Sequence, residues 1–144
     1  MAHFKTDVTE KKVLQFADQI IQNGYPYGVF EIDDQWQTHY GDLIFDQTKF
    51  PNPRKMIEKL HQMYFKVTAW IIPFFDPQSI SFKTGKEKGY LVKDQAGEPY
   101  LVPWWQGRGG LLDVTNPKAL EWFYGNLLLL QQKTGLDGFK FDAG

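Results

Sequence analysis

The stretch Phe65-Lys66-Val67-Thr68-Ala69-Trp70-Ile71-Ile72 decides the fold, because it is a nearly continuous apolar run that directly follows a helical pattern. Strands of this kind are typical of parallel sheets that helices cover on the outside. Two similar short runs occur at residues 28–33 and 138–142, and each follows a helical segment that ends in glycine. The alternation of helix and strand therefore predicts an α/β fold built from βα units.

Three helices are predicted from their capping residues and their apolar spacing. Asp7 and Glu10 have the spacing of a capping box, and Asn52-Pro53 and Asn116-Pro117 each place a cap before a proline. The apolar residues that recur at helical spacing are Val13, Leu14, Ala17, Ile20 and Ile21, then Met56, Ile57, Leu60 and Met63, then Leu120, Phe123, Leu127 and Leu130.

Residues 74–113 interrupt this alternation. Residues 89–93 and 98–102 flank the turn Asp94-Gln95-Ala96-Gly97 and predict a β-hairpin, and the tryptophans and glycines after it read as loop. This insertion leaves the carboxyl end of the Trp70 strand, the end at which α/β proteins bind ligands. Long segments of this kind inside a compact unit are usually functional.

The number of units indicates an incomplete barrel. With a remnant of a first strand expected near Phe4, the chain holds about the first four βα units, whereas a complete (β/α)8 TIM barrel takes about 250 residues. We therefore expect residues 1–144 to form the N-terminal half of a catalytic TIM barrel, with a long β-hairpin and loop insertion after the third strand. The sheet edge after Asp142 is expected to be open.

Composition excludes several classes of function. Sixteen Lys and Arg against seventeen Asp and Glu leave no basic surface for nucleic acid or for an anionic membrane, and no run of about 18 apolar residues is present. The chain lacks Cys, and its three His lack ligand spacing, so we expect no metal and no cofactor. Oligomeric state and compartment stay open.

The side chains expected at the carboxyl ends of the strands point to sugar chemistry. The candidates are Asp33, Asp34, Trp70, Lys140 and Asp142, with Trp104 and Trp105 from the insertion. Lys140 lies two residues before Asp142 and therefore points to the same side of its strand. Carboxylates can hold hydroxyl groups or attack an anomeric carbon, while indole rings cover the apolar face of a sugar ring.

Each candidate also has a structural interpretation. Asp33 alone could be a helix cap or a turn residue, Lys140 and Asp142 could simply pair with each other, and Trp104 and Trp105 could be loop packing. Two other functions therefore remain: a carbohydrate-binding fragment or degenerate relative that does not cleave, and a structural domain whose carboxylates are caps and whose tryptophans are core.

Taken together, the motifs resemble glycoside hydrolase family 31, most closely its myogenesis-regulating branch. The likeness runs nearly from end to end of the chain. The blocks that carry it are Glu31-Ile32-Asp33-Asp34, Tyr40-Gly41-Asp42, Phe45-Asp46, Lys49-Phe50-Pro51, Trp70, Pro73-Phe74, Trp104-Trp105-x-Gly107, Asp113, Asn116-Pro117 and Gly138-Phe139-Lys140-Phe141-Asp142-Ala143-Gly144.

The resemblance implies a retaining α-glycosidase in which Asp142 is the nucleophile. It implies that Asp33 and Asp34 hold sugar hydroxyls, that the three tryptophans surround the pocket, and that Lys140 lies beside the nucleophile. It also implies that the acid/base carboxylate lies beyond residue 144, so that the isolated chain is inactive. The substrate is expected to be an α-galactosyl or α-glucosyl sugar, with the branch favouring galactosyl, and the location to be a secretory lumen or the extracellular space.

Overall fold

The centre of the fold is a three-stranded parallel sheet within residues 7–142, the part of the chain that the computed structural model describes. Its strands are β1 (Val29–Ile32), β2 (Lys66–Ile71) and β6 (Gly138–Phe141), in the order β1-β2-β6. All three run parallel, so their carboxyl ends lie at one edge of the sheet. The predicted α/β fold is thereby confirmed, and the three strands do not close a barrel.

Four helices accompany the sheets in the part of the chain that the structure describes. They are α1 (Glu10–Gln22), α2 (Pro53–Gln62), α3 (Ile80–Lys88) and α4 (Pro117–Thr134). Of these, α1, α2 and α4 are the predicted helices. The strand predicted near Phe4 lies outside the described residues. No helix within residues 7–142 combines the length and the apolar character needed to cross a membrane.

The capping prediction for α1 is wrong in its residue. Thr9 is the N-cap, and its hydroxyl accepts a hydrogen bond from the backbone N–H of Lys12 at 3.3 Å. Because Glu10 is the first residue of the helix, Asp7 lies too far upstream to cap it, and its carboxylate instead pairs with the Lys12 ammonium group. Glu10 accepts a hydrogen bond from the backbone N–H of Asn52 at 3.0 Å and so ties α1 to the start of α2.

The caps of the two later helices differ from each other. Asn52 makes no side-chain capping bond, whereas the Asn116 side chain accepts a hydrogen bond from Lys118 N at 3.0 Å. Gly135 ends α4 in the left-handed conformation at φ 86°, as its position predicted. Leu120 was expected on the buried face of α4 but is 44% exposed.

The insertion after β2 is present, but its internal structure differs from the prediction. It contains β3 (Phe74–Phe75), β4 (Leu101–Trp104) and β5 (Gly107–Leu111), which form an antiparallel sheet in the order β3-β5-β4. The hairpin therefore joins β4 to β5, and Trp105 lies in its turn. The predicted hairpin is reduced to a turn at residues 94–97 with a single bridge between Lys93 and Pro99.

Helix α3 was not predicted because it lacks an apolar stripe. Its only buried residue is Gly85, where a Cβ atom would come within 3.0 Å of the Leu91 side chain. Its ends are nevertheless well marked, since the Ser79 hydroxyl accepts a hydrogen bond from Phe82 N at 2.9 Å and Gly89 adopts φ 69°. Glycine in this helix is thus required by close packing rather than by a bend.

The main core lies between the parallel sheet and helices α1, α2 and α4. Its fully buried members include Trp36, whose ring centroid lies 4.5 Å from that of Phe45. The Trp36 indole N–H donates to the carbonyl oxygen of Trp70 at 2.7 Å. This bond fastens the loop after β1 to the carboxyl end of β2, so the core itself positions the edge at which the predicted site lies.

At the opposite edge of the sheet, Asp137 connects β6, β2 and α2. Its Oδ2 atom accepts from Val67 N at 2.8 Å and lies 2.7 Å from His61 Nε2, while Oδ1 lies 3.0 Å from Lys66 Nζ. Burial acts to raise the pKa of Asp137, but the hydrogen bonds from Val67, His61 and Lys66 outweigh it, so the pKa lies below its usual value. The carboxylate therefore contributes to stability above its unfolded-state pKa, and the contribution is lost as pH falls through the folded-state value.

We expect Asp137→Asn to lower the free energy of unfolding of the full-length protein by about 1–2 kcal/mol at neutral pH, because charge-assisted hydrogen bonds are lost. The difference from wild type should vanish in acid, as measured by unfolding at several pH values. Glu98→Gln is the control, because the Glu98–Lys86 pair is exposed and should contribute little. If both variants lose the same unfolding free energy, or if the loss in Asp137→Asn persists unchanged in acid, the ionised Asp137 carboxylate does not have the stabilising role described.

Candidate active site

Lys140 is the centre of a cluster of acidic residues at the carboxyl edge of the parallel sheet. Its ammonium nitrogen lies 3.3 Å from Glu31 Oε1, 3.4 Å from Asp33 Oδ2 and 3.9 Å from Asp142 Oδ2. Glu31 and Asp33 come from β1 and the end of that strand, and Asp142 follows β6. Strand β2 lies between them, so the lysine side chain spans the middle strand of the sheet.

The Asp142 carboxylate is oriented by an indole from the middle strand. Trp70 Nε1 donates to Asp142 Oδ2 at 2.9 Å, and the backbone N–H of Asp142 donates to the carbonyl oxygen of Ile71 at 2.9 Å. Trp70 itself is buried, with 2% of its surface exposed, while the Asp142 side chain is 43% exposed. A fixed donor thus holds a carboxylate that solvent or a ligand can reach.

The two consecutive aspartates after β1 have separate partners. Asp33 Oδ1 accepts from the backbone N–H of Asp34 at 2.8 Å, and Asp34 Oδ1 accepts from the Tyr40 hydroxyl at 2.8 Å. Burial raises the pKa of Tyr40, and the hydrogen bond to the Asp34 carboxylate raises it further. Tyr40 therefore stays protonated and remains a donor to Asp34.

Aromatic rings form one side of this edge. Tyr40 packs edge-on against Trp70 and Trp104, with centroid distances of 6.1 and 4.7 Å. Trp104 also stacks on Phe74 at 5.3 Å, and Trp105 touches Trp104 at 5.1 Å while 59% of its surface is exposed. Trp70 and Trp104 therefore belong to the wall beside the carboxylates, and Trp105 extends it outward at the β4–β5 turn.

The acidic neighbours of Lys140 favour its charged form. Burial by itself lowers the pKa of Lys140, but the attraction of Glu31 and Asp33 outweighs burial, so the pKa is raised. Three carboxylates, from Glu31, Asp33 and Asp142, thus face one ammonium group. The excess of negative charge suits neutral ligands, or groups that develop positive charge, better than anions.

The structure brings six of the seven predicted residues to one edge, directly or through Tyr40, and places Trp105 at its outer rim. Two residues of the cluster were not predicted as site residues. Glu31 has a detectable signal, because a charged residue two positions before Asp33 shares its face of the strand. Tyr40 belongs to one of the blocks that carry the family resemblance, but its contact with Asp34 depends on the path of the loop after β1.

Two cavities of the described chain are lined mainly by residues outside this cluster. An apolar cavity of about 460 Å³ is lined by Ile80, Trp122 and Leu129 among others, and by none of the seven predicted residues. A polar cavity of about 290 Å³ is lined by Tyr40, His39 and Gln106 among others and adjoins the aromatic wall.

Parallel βα units that present carboxylates and indole rings at their carboxyl edge are the arrangement that barrel-type glycosidases use. The sequence comparison agrees with this class. The chain belongs to glycoside hydrolase family 31, since the family described as "Glycosyl hydrolases family 31 TIM-barrel domain" matches residues 2–144. The resemblance stated from the sequence motifs is therefore confirmed.

Curated relatives cover nearly the whole chain. Myogenesis-regulating glycosidase of Mus musculus is 45% identical over 138 residues, which are 95% of this chain and 19% of the relative. Alpha-xylosidase XylQ of Lactiplantibacillus pentosus is 36% identical over 143 residues, or 98% of this chain and 19% of the relative. The chain thus spans about a fifth of the length of these relatives.

Solved structures show the same fold. A GH31 alpha-xylosidase from a soil metagenome, complexed with xylose, superposes with a TM-score of 0.84 at 27% identity, covering 94% of this chain and 20% of that one. A Flavobacterium johnsoniae GH31 dextranase superposes with a TM-score of 0.86 at 24% identity, covering 94% of this chain and 17% of that one.

Proposed function

We propose that the full-length protein is a retaining α-glycosidase in which Asp142 is the nucleophile. The observation that carries this proposal is the Asp142 carboxylate, which is exposed at a strand end and held by the Trp70 indole N–H at 2.9 Å. The membership of family 31 supports the same assignment. Because the Asp142 side chain is already held in place, attack on an anomeric carbon costs little additional conformational entropy.

The reaction proceeds in two displacements. An Asp142 oxygen forms a bond to the anomeric carbon while the bond to the leaving oxygen breaks, and a second carboxylic acid gives that oxygen its proton. Water, deprotonated by the same second group, then hydrolyses the glycosyl ester and frees Asp142. Retention requires the second carboxyl group about 5–5.5 Å from the first. We propose that this group lies beyond residue 144, so that the isolated chain does not hydrolyse glycosides.

The other residues hold the sugar. Asp33 and Asp34 accept hydrogen bonds from its hydroxyl groups, with Tyr40 and Lys140 fixing their orientation. The rings of Trp104 and Trp105 offer apolar surface to the sugar ring, whereas the buried Trp70 contributes by orienting Asp142 through its indole N–H. The resemblance to the myogenesis-regulating branch favours α-galactosyl over α-glucosyl substrates, while the similarity to alpha-xylosidase XylQ adds α-xylosyl ones. Initial rates of the full-length protein on the three p-nitrophenyl α-glycosides rank these specificities.

The nucleophile is tested by covalent labelling of the full-length protein with 5-fluoro-α-glycosyl fluorides of the galacto, gluco and xylo series. We expect intact mass to rise by one fluoroglycosyl unit and peptide mapping to locate it on Asp142. Asp142→Asn is the matched control and should take up no label. Stoichiometric labelling at another carboxylate contradicts the assignment, and sugar binding without turnover or labelling favours the carbohydrate-binding alternative.

A further inference from the structure

Glu31 is a partly buried acidic residue of β1 without a role in the mechanism above. Its side chain is 18% exposed, and Oε1 has no hydrogen-bond partner among residues 7–142. The cation that faces this oxygen is Lys140, with Nζ at 3.3 Å. Because a carboxylate oxygen shielded from water is costly without a partner, the ion pair with Lys140 offsets the cost of placing Glu31 here.

The position of Lys140 requires a partner on β1. In the sheet register Lys140 lies beside Trp70, while Glu31 lies beside Thr68 on the far side of β2. The lysine side chain therefore reaches across the middle strand instead of turning directly to Asp142, its neighbour along β6. Its ammonium nitrogen is closer to Glu31 and Asp33 than to Asp142, by about half an ångström.

We propose that Glu31 is a positioning residue that acts through Lys140, holding the ammonium group between the strands and away from a tight ion pair with Asp142. Asp142 then keeps the Trp70 hydrogen bond, and Lys140 stays at 3.9 Å from its carboxylate instead of closing on it. The ion pair itself follows from the geometry, whereas its catalytic consequence rests on the proposed role of Asp142. Glu31 touches neither substrate nor the reacting atoms in this role.

The charged groups that face Lys140 come from two elements. Glu31 and Asp33 approach from β1 and its end, and Asp142 approaches from the lysine's own strand. The middle strand contributes the uncharged Trp70, and Asp34 is engaged by Tyr40. Removing the charge of Glu31 therefore leaves Lys140 with Asp33 and Asp142, and we expect it to move toward Asp142.

The ion pair is tested first, without activity, by competitive acetylation of the full-length protein and mass spectrometry. In Glu31→Gln the pKa of Lys140 should fall, because the attraction of Glu31 is lost and a closer approach to the half-exposed Asp142 carboxylate replaces only part of it. We expect the acetylation rate of Lys140 at pH 8 to rise about fivefold to tenfold. Lys66, which Asp137 holds at the opposite sheet edge, is the internal control and should not change. An unchanged Lys140 rate overturns the proposal.

The catalytic consequence is tested with Glu31→Gln, Lys140→Met and the double variant. Glu31→Gln should move the acidic limb of the kcat/KM profile to lower pH by about half a unit to one unit, with a several-fold lower plateau. In the Lys140→Met background the same substitution should have little effect. If Glu31→Gln shifts the acidic limb of the kcat/KM profile equally in the wild-type and Lys140→Met proteins, Glu31 does not act through Lys140. A variant too slow for steady-state assay is compared by its rate of labelling with the glycosyl fluoride.

The two tests separate the two proposals. If the wild-type protein neither turns over nor labels, the proposed function fails, while the acetylation rates still decide whether Glu31 holds Lys140. If labelling occurs at Asp142 and acetylation of Lys140 is insensitive to Glu31, the proposed function stands and the positioning role is wrong. Melting temperatures of the variants identify any loss of activity or labelling that is caused only by unfolding.

Discussion

Asp142→Asn is expected to lower the kcat of the full-length protein by about 10⁴-fold or more. The amide has nearly the shape of the carboxylate, and its oxygen can still accept the Trp70 hydrogen bond. It carries no charge and is a poor nucleophile, so the covalent step loses its attacking group while binding contacts persist. Steady-state kinetics on the best α-glycoside measure kcat, and KM is expected to change far less.

The matched control is Asp18→Asn, which makes the same chemical change on the exposed surface of α1. This variant should keep wild-type rates. Melting curves of both variants should superpose on that of the wild type, because neither substitution changes buried volume. An Asp142→Asn protein with normal turnover removes the nucleophile assignment and leaves Asp142 a structural partner of Trp70 and Lys140.

Trp36→Ala has the largest effect expected on stability, about 3–5 kcal/mol of unfolding free energy. The ring is fully buried against Phe45, and its N–H donates to the Trp70 carbonyl at 2.7 Å. Truncation therefore leaves a cavity in the core and an unsatisfied carbonyl beneath the site. Denaturant unfolding of the full-length protein, followed by a probe of this domain, measures the loss.

Two further variants divide this effect into its parts. Trp36→Phe keeps most of the packing but loses the hydrogen bond. We expect the lost hydrogen bond to lower the free energy of unfolding by about 1–2 kcal/mol, in addition to the effect of the smaller ring. Trp105→Ala makes the same truncation at a residue that is 59% exposed, and its effect on stability should be well below 1 kcal/mol. Comparable losses at Trp36 and Trp105 show that burial of the Trp36 ring is not what stabilises the loop after β1.

The elements that were predicted correctly have local signals. Strands β1, β2 and β6 are short apolar runs next to glycine or helix, and α4 has both its cap and its terminal glycine in the sequence. The errors occurred where the local signal is ambiguous or absent. Asp and Thr are both residue types that cap helices, so residue type alone did not decide between Asp7 and Thr9. Helix α3 has no apolar stripe because it buries only Gly85.

The insertion shows the limit of turn signals. The turn at residues 94–97 was identified correctly, yet the strands that pair extensively lie after it. Gly109 and Gly110 belong to β5 and are closely packed there. A Cβ atom at Gly110 would come within 2.8 Å of the Phe82 ring, and one at Gly109 within 3.1 Å of the Phe75 carbonyl oxygen. Glycines that normally indicate a loop here accommodate close packing against a ring and a neighbouring strand, which no local pattern reveals.

By itself the sequence determined the order of helices and strands and the placement of acidic residues where strands end, because apolar periodicity and alternation along a strand are properties of neighbouring residues. The tertiary structure alone decided which of those groups meet. The order β1-β2-β6 sets the distance that Lys140 must span to reach Glu31 and Asp33, and the path of the loop after β1 brings Tyr40 to Asp34. Such contacts join residues that are far apart in the chain, and they form only when the strands assemble side by side.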